Sequence, residues 1–201
     1  MSFETRKANK RRKRSNLFTN MAFVGKGIDI GCGKDLLEKR AFKKIISIEG
    51  FDLEDGDAQN IDKYRDKESY DFVYSSNCLE HMENPTEALK SWYLLVKPGG
   101  FLVFTVPDED LYEQGFYPSK FNRDHKWTFT IFKTKSWSPK SINVVDLLKK
   151  LESVKVHKIE TIDTKYDYNI KGIDQTRKKA EAFIEIVLQK KTNRGINTYA
   201  K

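Results

Sequence analysis

The segment Gly27-Ile28-Asp29-Ile30-Gly31-Cys32-Gly33 constrains the fold more than any other stretch. A short extended run ends in a turn with glycines at its first and third positions. In open α/β sheets, ligands sit beyond the carboxyl ends of the strands. Glycines there permit a tight turn and let a ligand approach the backbone without a Cβ in the way. The next apolar run is Ile45-Ile46-Ser47-Ile48, and Asp52 follows it, nineteen residues after Gly33. A carboxylate so placed can accept both ribose hydroxyl hydrogens of an adenosine, with Glu49 its one serious competitor. The third glycine of a dinucleotide pattern would fall at Leu36, which argues against a bound pyrophosphate. By themselves these residues fit equally well a plain strand-to-helix turn followed by an acidic loop.

The remainder alternates short apolar runs with helical stretches, as a mostly parallel sheet requires. Lys34 to Lys44 reads as a weakly patterned helix, and Tyr70-Asp71-Phe72-Val73-Tyr74 as a further strand. A helix begins after Asn84, with Pro85 at its first position and Glu87 at capping-box spacing. Leu89, Trp92, Tyr93 and Val96 continue its apolar face, and Lys97-Pro98-Gly99-Gly100 stops it. The run from Phe101 to Val106 is the next strand. A second capped helix is expected from Ser138-Pro139 to about Leu151, with closing strands at Ser153 to Ile162 and Ala180 to Gln189. No repeat and no Pro- or Gly-rich linker divides the chain.

Four of these stretches together resemble the class I S-adenosylmethionine-dependent methyltransferases, particularly the methyltransferase type 11 group. Gly27 to Gly33 is similar to their first motif and Gly56-Asp57-Ala58 to the one that holds adenine. Tyr70 to His81 resembles their fourth strand and its loop, and Val96 to Gly100 the turn before their fifth strand. The order and spacing match over residues 24 to 110. The resemblance implies a Rossmann-like α/β sheet with helices on both faces and an antiparallel final strand. The short link between Asp52 and Gly56 implies a trimmed edge where the third strand would lie. S-adenosylmethionine is the implied donor, with Asp29, Gly31 and Gly33 around its methionine end and Asp52 on the ribose. Asp57 and Ala58 would meet the adenine, and the Asn77 backbone and His81 would complete the site. The family's usual third glycine is here Asp35. The implied division is a basic extension at 1–22, the methyltransferase domain at 23–191 and a tail at 192–201.

Charge and cysteine content narrow the partners. Seven of the first fourteen residues are Lys or Arg, against Glu4 alone, so the net +8 drops to +2 without them. Such a segment reads as a solvated extension or as an arm for nucleic acid and other polyanions. It precedes no apolar run of the secretory type, and no run approaches a membrane span. Two cysteines, Cys32 and Cys78, argue against a disulfide framework and a cysteine-rich zinc site. A cytoplasmic protein without a metal is expected; the oligomeric state is open.

The acceptor half is less defined. A hydroxyl acceptor needs a general base, whereas an amine does not. His125, flanked by Asp124, Trp127 and Phe129, is the candidate base, with Asp124 to orient it; a purely structural role for the pair is equally open. His157 falls in a strand and reads as structural or exposed. Asn84-Pro85 is followed by Thr86, so the amino-base methylation motif is missing. Neither cysteine follows a proline, which argues against covalent base methylation. A small molecule, a sugar or glycan hydroxyl, or a carboxylate therefore remains, and a small molecule or a sugar or glycan is the expected acceptor. The alternatives are a nucleic-acid modifying protein and a partner subunit that binds donor without catalysis. Residues 107 to 135 carry Tyr112, Phe116, Tyr117, Phe121, Trp127 and Phe129, and are expected to cover the strand ends and wall the acceptor pocket.

Overall fold

The computed structural model describes residues 4–192. Six strands form one sheet: β1 (Gly25–Ile30), β2 (Ile45–Phe51), β3 (Tyr70–Ser76), β4 (Val96–Pro107), β7 (Val154–Ile162) and β8 (Phe183–Lys190). Their order is β2-β1-β3-β4-β8-β7, with the first four parallel and β8 antiparallel to both neighbours. Beyond β2 the sheet ends, since the stretch after Asp52 forms only a 3-10 turn at Ala58–Lys63. The trimmed edge and the antiparallel closing strand agree with the sequence reading.

Alternating residues feed two cores, as the period-two geometry of strands requires. Ile28, Ile30, Val73, Leu102 and Phe104 face α2 (Pro85–Leu94) and α3 (Val144–Leu148), against Leu89, Trp92 and Leu147. Phe72, Tyr74, Phe101 and Val103 face the other way, onto Phe18, Phe23 and Phe42. Asn84 caps α2 as expected, its side chain accepting from the amides of Thr86 and Glu87 at 3.1 and 3.2 Å.

The second layer differs from expectation. No helix forms over residues 34 to 44, where a three-residue turn, Lys39–Ala41, is all that appears. The Leu37 amide is drawn to the Asp29 carboxylate at 2.7 Å, and the sheet face is already filled by Phe18 and Phe23. Phe18 belongs to the 1–22 segment, expected to be a solvated extension, and that reading is corrected. Residues Glu4–Arg12 form helix α1, followed by a wide turn at Leu17–Ala22. Thr5, Ala8, Asn9 and Arg12 are buried at i, i+3, i+4, i+7 spacing, one stripe of a helix. Arg12 is fully buried, donating to Glu185 and, at 2.8 Å, to the Tyr74 hydroxyl. Arg11 makes a bidentate pair with the same carboxylate at 2.6 and 3.1 Å. Burial disfavours the charged form of Glu185, but Arg12, Arg11 and Lys158 outweigh it and hold its pKa well below the usual range. Residues 193–201, most of the expected tail, lie outside the described residues.

The helix expected from Ser138 is also shorter. Ser141–Asn143 becomes strand β6, paired in parallel with β5 (Thr128–Thr130), and α3 starts only after Asn143. Glu109 explains the change. It is fully buried and gathers Thr128, Lys133, Ser136 and Ser141 onto its two oxygens, fastening this annex to the end of β4.

Candidate active site

A cavity of about 490 Å³ opens at the carboxyl ends of β1, β3 and β4. Its walls include Asp29 and the Gly31–Gly33 turn, Ser76 and Asn77 after β3, and Pro107 at the end of β4. Glu4 and Thr5 of α1 close one side, and Tyr112, Asn122, His125, Glu80 and His81 form the other.

The glycine turn has a steric cause. Gly31 has φ +71°, and a Cβ there would lie 2.5 Å from the Cys78 sulfur. Gly33, at φ +50°, faces open space, its nearest neighbour being the Asp52 carboxylate at 3.9 Å. Positive φ suits glycine at both places. Asp52 accepts the Gly33 amide and, at 2.8 Å, the Leu53 amide. The nineteen-residue spacing thus brings the acidic loop onto the glycine turn. Glu49 is occupied elsewhere. It accepts from the Tyr70 hydroxyl at 2.6 Å and Arg65 at 2.8 Å, and these partners outweigh burial and lower its pKa.

Asp29 is buried with one oxygen on the Leu37 amide, while the other, Oδ1, accepts no hydrogen bond. Burial, with the nearby charges of Asp35 and Asp52, raises its pKa well above the usual carboxylate range. Asp35, the residue in place of the family glycine, receives Arg6 of α1 at 3.3 Å, so the first helix is latched to the loop. The Asn77 amide donates to the Thr105 carbonyl at 3.0 Å and is not free for a ligand; its carbonyl is the group left to offer. Asp52 borders this cavity only through the Gly33 amide and is not among its walls, and Asp57 and Ala58 do not line it. Asp57 caps the turn at Ala58–Lys63, and the Ala58 carbonyl accepts the Trp92 indole at 2.8 Å.

The acceptor side contains a compact polar group. His125 is buried, and its Nδ1 lies 2.7 Å from Glu113 Oε1. Burial opposes its charge, but the Glu113 hydrogen bond and the Glu80 carboxylate prevail, and its pKa is raised. His81 donates from Nδ1 to the Asp124 carbonyl at 3.1 Å. Asp124 was expected to orient His125; the hydrogen bond comes from Glu113 instead, and Asp124 acts through its backbone on His81. Sequence reasoning missed Glu80 and Glu113. Glu80 stands in the Leu79-Glu80-His81 motif and was legible there. Glu113 is twelve residues from its partner and left no signal.

Of the aromatics expected to wall the pocket, Tyr112 does so, with its ring 5.2 Å from that of His125. Phe129 belongs to the main core, Phe116 is exposed, and the Tyr117 hydroxyl donates to the Lys126 carbonyl at 3.2 Å. His157 lies in β7, on Gln189 at 2.9 Å, as a structural histidine would.

Residues 3–138, more than half of the chain, match the family described as Methyltransferase domain. The chain belongs to that family. It is an S-adenosylmethionine-dependent methyltransferase of the class I type. Solved structures agree on the fold. A SAM-dependent methyltransferase of Thermotoga maritima, described as a possible histamine N-methyltransferase, is 21% identical with a TM-score of 0.53, covering 94% of this chain and 99% of its own. Another from Archaeoglobus fulgidus is 20% identical with a TM-score of 0.54, covering 94% and 95%. The [4+2]-cyclase SpnF is 13% identical with a TM-score of 0.57, covering 92% and 82%. No curated protein matches the chain.

The methyltransferase cavity suits its donor on two observations. The open space over Gly33 leaves a cradle that a Cβ would narrow. The unpartnered Asp29 Oδ1 is a buried acceptor, a position that the amino group of a methionine moiety would satisfy, directly or through water.

Proposed function

We propose that this methyltransferase acts on a hydroxyl of a small molecule or glycan, activated at the Glu80–His81–His125 end of the cavity. The supporting observation is the buried His125, set between two carboxylates in the cavity that also contains the glycine turn. S-adenosylmethionine supplies an electrophilic methyl on a sulfonium. Asp29, Gly31, Gly33 and Asp52 hold the donor side, the Asn77 carbonyl borders its methionine end, and Tyr112 packs His125 into place. What remains for the protein is alignment and removal of the acceptor proton. An amine would not need a buried imidazole–carboxylate set; a hydroxyl does. During transfer the hydroxyl loses its proton, the O–CH3 bond forms and the S–CH3 bond breaks, with its electron pair remaining on sulfur.

The nucleic-acid reading rested on the N-terminal charges. Lys7, Arg11 and Arg12 are spent on internal partners, and Arg6, though exposed, reaches Asp35; Lys10, Lys13 and Arg14 are the other exposed charges of that run. No helix among the described residues is long and apolar enough to cross a membrane.

A screen with methyl-labelled donor against sugars, glycans, small hydroxylated compounds and RNA tests the reading. Label is expected in a sugar or small-molecule fraction as a base-stable ether. Transfer to RNA alone, or label only on amines, would contradict the acceptor class while leaving the donor site intact.

A further inference from the structure

Glu80 poses a problem that methyl transfer alone does not resolve. Its side chain is fully buried, and neither carboxylate oxygen accepts a hydrogen bond from another residue. An unsatisfied buried carboxylate is costly, so such groups are normally paired or bound to a cation. Two imidazole nitrogens face it, Nε2 of His125 at 3.8 Å and Nε2 of His81 at 3.9 Å.

The tautomers follow from the partners. The Asp124 carbonyl can only accept, so His81 carries its hydrogen on Nδ1. The Glu113 carboxylate likewise takes a hydrogen from Nδ1 of His125. In their neutral forms, both rings therefore present a bare Nε2 lone pair to Glu80. A carboxylate and two lone pairs repel one another unless a proton or a metal cation lies between them. Imidazoles fixed through Nδ1 by a carboxylate or a carbonyl are the usual support of metal ligands.

We infer that Glu80, His81 and His125 form a binding site for a first-row divalent metal ion, with Glu113 and the Asp124 carbonyl as its outer support. One ligand atom from each residue lies within 4.8 Å of the others. Ligands at about 2.0–2.2 Å from a tetrahedral ion stand about 3.3–3.6 Å apart, so side-chain movements of up to about an ångström complete the set. Two imidazoles and one carboxylate suit Mn²⁺, Fe²⁺, Co²⁺ or Zn²⁺ better than Mg²⁺ or Ca²⁺, which prefer all-oxygen ligands. Three protein ligands leave coordination positions toward the cavity. There the ion would lower the pKa of an acceptor hydroxyl, whose proton passes to solvent. This inference rests on the hydroxyl reading above and recasts His125 as a ligand that positions the ion, not as the base itself.

The test uses metal-free, untagged full-length protein and two separate titrations. Calorimetry with Mn²⁺, Co²⁺, Zn²⁺ and Mg²⁺ should show one site, micromolar or tighter for at least one transition ion and at least tenfold weaker for Mg²⁺. Glu80→Gln, which preserves shape, and His81→Ala, at a partly exposed position, should each weaken binding by at least tenfold. Glu113→Gln should weaken it by roughly ten- to a hundredfold through the outer support. A second titration with S-adenosylhomocysteine reads the donor site. No metal binding with normal S-adenosylhomocysteine binding would overturn the metal site alone. Metal binding unaffected by both Glu80→Gln and His81→Ala would overturn it as well. Loss of S-adenosylhomocysteine binding in the parent protein would instead refute the donor-site reading beneath it.

Discussion

Arg12→Ala is expected to destabilise the protein by about 3 kcal/mol, the low end of the usual cost of breaking a buried ion pair, because Arg11 and Lys158 still face Glu185. Arg12 is fully buried, and its Nε donates to a Glu185 that is itself inaccessible. Removing the guanidinium also withdraws a donor from the Tyr74 hydroxyl and packing from Phe18 and Phe23. The pH dependence has a definite sign. The folded-state pKa of Glu185 is depressed, so its contribution is present above the unfolded glutamate value of about 4.3 and is lost as pH falls toward the folded value. Urea unfolding should therefore show a wide gap between parent and variant at neutral pH that narrows below about pH 4. A gap under about 1 kcal/mol at neutral pH would mean that α1 does not dock as described.

His125→Ala should lower turnover by ~10²-fold or more while S-adenosylhomocysteine affinity stays within a few-fold. The separation is expected because His125 comes from a different segment than the Gly31–Gly33 turn, with its ring against Tyr112 and His81. His125→Ala also strips Glu113 of its hydrogen-bond partner, and the variant could lose stability for that reason. His125→Asn retains a donor near the position of Nδ1 and removes Nε2. If His125 works through Nε2, both variants lose turnover. Full activity in a folded His125→Asn protein would reduce His125 to a structural anchor.

The glycine turn and the start of α2 were legible because their constraints are local. A glycine whose Cβ would strike Cys78 must be a glycine, and an Asn-Pro helix start announces itself within four residues. The acceptor half was legible in its residues but not in their pairing. His125 was identified, yet its partner Glu113 arrives by way of the turn at Glu109–Glu113, whose position depends on the whole annex. Helix α1 escaped for a different reason. Its buried stripe is Thr5, Ala8, Asn9 and Arg12, so a hydrophobic pattern finds only one apolar residue there. The stripe can be buried because Tyr74 and Glu185, from β3 and β8, meet it with matching polar groups. Its docking fills the space that the missing helix at 34–44 would have taken.

The donor site carries the whole account, and titration of the parent protein and Asp29→Asn with S-adenosylhomocysteine tests it most directly. The parent should bind one equivalent. Asp29→Asn keeps an acceptor for the Leu37 amide but loses the buried charge, so its thermal stability should hold or rise while affinity falls by roughly ten- to a hundredfold, the scale of a charged hydrogen bond. No heat with the parent, or equal affinity in the two proteins, would contradict the assignment of this cavity to the methyl donor.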